Sequence, residues 1–118
     1  VFPMTGCFPF RTRMHPRLIS LGYREITLRE SAPIGLAGMR ARGHEFHYSA
    51  LERPAEVPPF QKVFSVSARA GFDPGDTGYQ TGRTLGSYIH LHFGSRPEAA
   101  GVFVENCLNY QKERKATS

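Results

Sequence analysis

Four of the five histidines in this 118-residue chain stand in two short runs, "RGHEFHYS" with His44 and His47, and "SYIHLHF" with His90 and His92. Imidazole exchanges a proton near neutral pH and is also the commonest metal-ligating side chain, so acid–base catalysis and metal binding are the two chemistries to weigh. On an extended backbone alternate residues share a face. Leu85, Ile89, Leu91 and Phe93 then lie on one side, and Tyr88, His90 and His92 on the other. His90 is expected to emerge at the end of an apolar strand, where a histidine can act as a general base. In the earlier run Glu45, His47 and Ser49 share one face, and His44, Phe46 and Tyr48 the opposite one. The same pattern also suits histidines that are simply hydrogen-bonded within the structure. A zinc site would need His47, His90, His92 and a carboxylate to converge across strands.

Elements to position these residues can be read along the chain. Residues 1–17 look loop-like. "LGYREITL" (21–28) predicts a strand with Tyr23, Glu25 and Thr27 on one side and Arg24, Ile26 and Leu28 on the other. "SAPIGLAG" is turn material, and a second strand is expected from about Met39 to Tyr48. "ERPAEVPP" predicts an irregular connector and "FQKVFSVSA" another strand. "GFDPGDTG" is a turn, with a hairpin into "YQTGRTLGSYIHLHF". A helix follows, with Ser95 as N-cap, Pro97 in the first turn and Glu98 completing a capping box. Ala100, Phe103, Val104, Cys107 and Leu108 recur at helical spacing, which predicts one buried stripe. Residues 113–118 are expected to be a disordered tail.

Composition narrows the classes. The chain fits one small domain, and no run reaches the eighteen or so apolar residues that a membrane helix requires. Its net charge is +5, but the arginines are scattered rather than gathered with stacking aromatics, so neither a nucleic-acid nor a membrane surface is expected. The two cysteines, Cys7 and Cys107, form no CxxC pair, and reduced thiols in the cytoplasm are the expectation. Cys7, in "TGCFPF", has a phenylalanine and a proline behind the thiol where an oxyanion site wants close backbone approach, so a loop cysteine is expected there rather than a nucleophile.

Taken in order, "RM", "LGYREITL", "RGHEFHYS" and "GSYIHLHFGSRPEAA" resemble the carboxyl-terminal half of the glutaminase domain of the cobyrinic acid a,c-diamide synthase family, within the class I glutamine amidotransferases. The resemblance covers most of residues 13–105. It implies an α/β fold with a mixed, mostly parallel sheet and flanking helices, and makes residues 1–118 part of a glutaminase domain. By the resemblance His90 is the catalytic base, and His47, Tyr48 and Ser49 position the glutamine. Other class I members carry a glutamate two residues after the histidine. His92 stands there in this sequence, so a dyad is implied, with Glu45 and His92 as further active-site candidates and no metal.

The family nucleophile lies in an "ECGG"-like elbow that nothing in this sequence matches. The chain is therefore expected to be a piece that carries the base without the thiol and has no glutaminase activity alone. The resemblance further implies ATP and magnesium in an amino-terminal domain, and an amide-forming ligase of cobalamin biosynthesis. Its partners would be glutamine and a tetrapyrrole dicarboxylate, of the cobyrinate or sirohaem type, and a homodimer is an assembly it could form. The competing class is a small basic, non-enzymatic binding module, metal-assisted through His47, His90 and His92.

Overall fold

The computed structural model describes residues 2–52, 60–67 and 75–117. Eight strands, a short 3-10 turn and one helix follow one another: β1 (Arg11–Met14), β2 (Ser20–Leu28), β3 (Arg40–His47), β4 (Ser49–Glu52), β5 (Gln61–Val66), β6 (Asp76–Thr81), β7 (Thr84–Gly86), β8 (His90–Leu91), the turn Phe93–Ser95 and α1 (Glu98–Thr117). Six strands form one sheet in the order β7-β6-β5-β2-β3-β8, and β1 pairs with β4 in a second, two-stranded sheet.

Every strand pair among the described residues is antiparallel. This corrects the mostly parallel sheet expected from the sequence; the α/β class stands, with strands and a helix in one chain. Parallel neighbours need a crossover of a dozen or more residues, usually helical. β2–β3, β5–β6 and β6–β7 follow one another too closely for that, and the longer connections to β4, β5 and β8 carry no crossover helix among the described residues. β2 and β3, eight paired residues long, form the spine.

Period-two alternation on β2 places Arg24, Ile26 and Leu28 inward and leaves Tyr23 exposed and Glu25 and Thr27 half-buried, as the sequence predicts. Ile26 and Leu28 join Ile34, Ala41, Val63, Phe64, Val66, Ile89 and Ala99 in the core. Burying a side chain such as Phe64 or Ile26 completely contributes about 1.5–3 kcal/mol. Gly78 on β6 lies over the Phe64 ring, where a Cβ would fall 2.4 Å from the nearest ring carbon, and its φ of +66° independently favours glycine.

Three other expectations change. Residues 11–14, expected to be loop, form β1 against β4. The run from Tyr79 to Phe93 is not one strand: a turn at Gly82 and Arg83 and a bend at Tyr88 and Ile89 divide it among β6, β7 and β8. α1 runs to Thr117, so residues 113–117 are helical where a tail was expected. The β5–β6 hairpin is present, while its connection (68–74) and most of the "ERPAEVPP" connector (53–59) lie outside the described residues.

α1 begins differently from the capping box read in the sequence. The Ser95 hydroxyl donates to the His92 carbonyl at 2.7 Å and accepts from the Arg42 amide at 2.9 Å, tying the 3-10 turn to β3 instead of capping α1. The predicted apolar stripe exists but is not buried. Ala99 alone on α1 is buried, whereas Phe103, Val104, Cys107 and Leu108 are exposed.

Candidate active site

His90 owes its place to an unusually close strand contact. β8 is only two residues long and pairs with β3 through His44↔His90 and Gly43↔Leu91. The His92 amide extends the ladder by donating to the Arg42 carbonyl at 2.9 Å. Ile89 is buried and Leu91 packs on the same core. Gly43 makes the approach feasible: a Cβ there would stand 2.6 Å from the His90 carbonyl oxygen and 2.8 Å from Ile89 Cγ2. With its neighbours facing inward, alternation sends the His90 side chain to the other face, and it is exposed. The register places His44 across from His90 and Tyr23 across from His44, the last two with ring centroids 5.3 Å apart. Farther along this open face Glu25 pairs with Arg40 and Arg42, and these hydrogen bonds hold its carboxyl below the usual range.

A polar network occupies the inward face. Arg24 and Glu45 are both buried, at 8% and 9% exposure, within an otherwise apolar layer. Glu45 Oε1 accepts from Arg24 Nε at 2.7 Å and from the Ser20 hydroxyl at 2.9 Å. Arg24 also donates to Ser20 Oγ and to the Tyr23 carbonyl, both at 3.0 Å. Burial pushes the Glu45 carboxyl up, but hydrogen bonds from Ser20, Arg24 and His47 outweigh it and hold the group below the usual carboxylate range.

His47 continues the network. Its Nε2 lies 3.2 Å from Glu45 Oε2 and its Nδ1 2.6 Å from the Ser49 carbonyl. A carbonyl and a carboxylate only accept, so a ring nitrogen bonded to either one is the donor. The His47 ring stacks on Tyr88, with ring centroids 3.9 Å apart and planes inclined by 12°. The Tyr88 hydroxyl closes the path to Ser49 Oγ at 2.7 Å.

The structure therefore divides the sequence candidates. His90 stands on the open face. Glu45, His47 and Ser49 belong to the inward network, where His47 has both nitrogens engaged. Tyr48 is exposed and packs edge-on against Phe46 at 5.7 Å. His92 accepts the Gly94 amide on Nδ1 at 2.9 Å and so caps the 3-10 turn. Among the described residues no three His, Cys, Asp or Glu side chains are grouped to hold a metal ion, so His47, His90 and His92 do not form the convergent cluster that a zinc module would need.

Tyr88, grouped with His90 by strict alternation, turns instead toward His47, because the bend before β8 breaks the strand. Arg24 and Tyr88 were not singled out in the sequence. Arg24 carried a usable signal: an arginine in line with Ile26 and Leu28 must find a buried acid, and "GHEFH" offers one.

Residues 1–98 match the model of the CobB/CobQ-like glutamine amidotransferase domain. The chain belongs to this amidotransferase family. It is 49% identical over 105 residues to a cobyrinate a,c-diamide synthase of Syntrophotalea carbinolica, covering 88% of this chain and 23% of that protein. It is 38% identical over 107 residues to the enzyme of that name from Leptospira interrogans, with 91% and 23% covered. Against the Priestia megaterium cobyrinate a,c-diamide synthase the identity is 32% over 114 residues, with 97% and 24% covered. The chain thus spans about a quarter of the length of these amidotransferase relatives. No solved structure matches it. Among the described residues no helix is long and apolar enough to cross a membrane.

Proposed function

We propose that residues 1–118 form part of a glutaminase domain and supply its histidine base and part of its substrate-positioning strand. The observation that carries this is the exposed His90 on the open face of β8, its backbone fixed by pairing to β3. In the proposed reaction a cysteine thiol from elsewhere in the longer polypeptide gives its proton to His90. The thiolate attacks the glutamine carboxamide, and His90 returns the proton to the departing ammonia. Water then cleaves the thioester, releasing glutamate and restoring the thiol. Tyr48 is proposed to position the glutamine, with His47 and Ser49 holding the strand end from beneath and His92 shaping the turn after the base.

The names of the relatives support a cobyrinate-type tetrapyrrole as the acceptor of the ammonia. Activation of its carboxylates by ATP and magnesium is assigned to another part of the polypeptide, and we place the protein in the cytoplasm as a homodimer. The test is His90→Ala in the full-length protein. Glutamine-dependent amidation and glutamate release are expected to fall by roughly a hundredfold or more, while amidation from free ammonia persists. Loss of both activities together, or of neither, would exclude His90 as the base. Cys7 and Cys107 are exposed, unbridged thiols. The 118-residue chain alone is expected to release no glutamate, and release that disappears on Cys7→Ser would assign the nucleophile to Cys7.

A further inference from the structure

The inward network ends two residues from the proposed base, on the same short segment. Tyr88 is fixed on its ring face by His47, at 3.9 Å, and at its hydroxyl by Ser49, at 2.7 Å. His47 is fixed in turn by the Ser49 carbonyl and by Glu45, and Glu45 by Arg24 and Ser20. Between Tyr88 and His90 stands only Ile89, buried in the core, with its amide donating to Ser87 Oγ at 2.9 Å. β8 itself contributes just two residues of pairing, too few to define the direction from which the chain arrives.

We propose that Glu45 is a positioning residue for His90, acting through His47 and Tyr88 to fix the bend that leads into β8. This rests on His90 being the base. Other class I amidotransferases carry a glutamate two residues after the histidine. Here the residue at that position is His92, and its Nδ1 is taken by the Gly94 amide. The carboxylate that the network provides lies instead on the opposite face of the sheet and reaches the base through the backbone. It does not touch the His90 ring. Its effect is to hold the peptide from which the ring projects, so it should alter turnover rather than glutamine affinity.

The experiment compares Glu45→Ala, Glu45→Gln, Tyr88→Leu and Tyr88→Phe in the full-length protein, measuring kcat and KM for glutamate release alongside His90→Ala. Glu45→Ala and Tyr88→Leu should lower kcat about tenfold or more, the scale expected of a misplaced catalytic group. KM for glutamine should stay within about twofold. Glu45→Gln, which keeps a hydrogen-bonding group facing His47, and Tyr88→Phe, which keeps the stack, should each recover a substantial part of the lost kcat. Unchanged kcat in a folded Glu45→Ala or Tyr88→Leu protein overturns the proposal, as does a rise in KM that accounts for the loss. If Glu45→Ala does not fold, Tyr88→Leu, at a half-buried position, decides alone. Full glutaminase activity in His90→Ala would instead overturn the assignment of the base, a result distinct from failure at Glu45.

Discussion

At the scale of single residues, the buried pair of Arg24 and Glu45 makes this molecule sensitive to acid. The folded state holds the Glu45 carboxyl below its usual value of 4.5. Stability from this group is therefore fully present above about pH 4.5 and is lost as pH falls through the lower folded value. Glu45→Gln should be less stable than the native protein at pH 7, because Arg24 loses its counter-charge. The difference should narrow on acidification below pH 4.5, as followed by chemical denaturation at several pH values. A constant gap would show that the pair is not ionised in the folded protein. Removing one partner of a buried pair typically costs about 3–5 kcal/mol. Glu45 could be picked out in the sequence as a candidate and Arg24 as an arginine in need of a buried acid, but their meeting with each other and with Tyr88 could not. Alternation tells which side chains share a face and is silent on which strands become neighbours, so the meeting of Arg24, His47 and Tyr88 depends on pairing that no local pattern encodes.

At the scale of elements, β8 is placed by what β3 lacks. Gly43→Ala would put a methyl group against the His90 carbonyl and the Ile89 side chain, and a backbone atom cannot swing aside as a flexible side chain can. The expected cost is about 1–3 kcal/mol in stability, measured by urea unfolding, with a loss of glutaminase kcat as β8 shifts. A folded Gly43→Ala protein with native turnover would show that the position of His90 tolerates displacement. The strands β2 and β3 were legible in the sequence because each buries one face, which imposes a period of two. The division of residues 79–93 was less so, since the bend before β8 is made by Tyr88 and Ile89, which are strand formers, and the nearby Gly86 still pairs within β7. For α1 the helical period was legible and its burial was not. A spacing of three and four residues groups Phe103, Val104, Cys107 and Leu108 on one face, but it says nothing about whether another surface covers them.

At the scale of the whole molecule, the two faces of the sheet divide the work. The inward face carries the core and the Glu45 network; the outer face carries His90, His44 and Tyr23, together with exposed Leu21 and Phe46. Most arginines with described partners sit in surface ion pairs, Arg13 with Glu52, Arg29 with Asp76 and Arg83 with Glu113 among them. Each of these pairs neutralises one arginine at the surface.

The uncovered stripe on α1 has a practical meaning for anyone who prepares these 118 residues by themselves. Three large apolar side chains, Phe103, Val104 and Leu108, are each about half in water along one helix, and water penalises such a surface wherever another greasy surface is within reach. The purified peptide should behave as a weak adhesive, scattering more light as its concentration rises and clinging to hydrophobic resin. Serine at positions 103 and 108 should make it markedly easier to keep in solution.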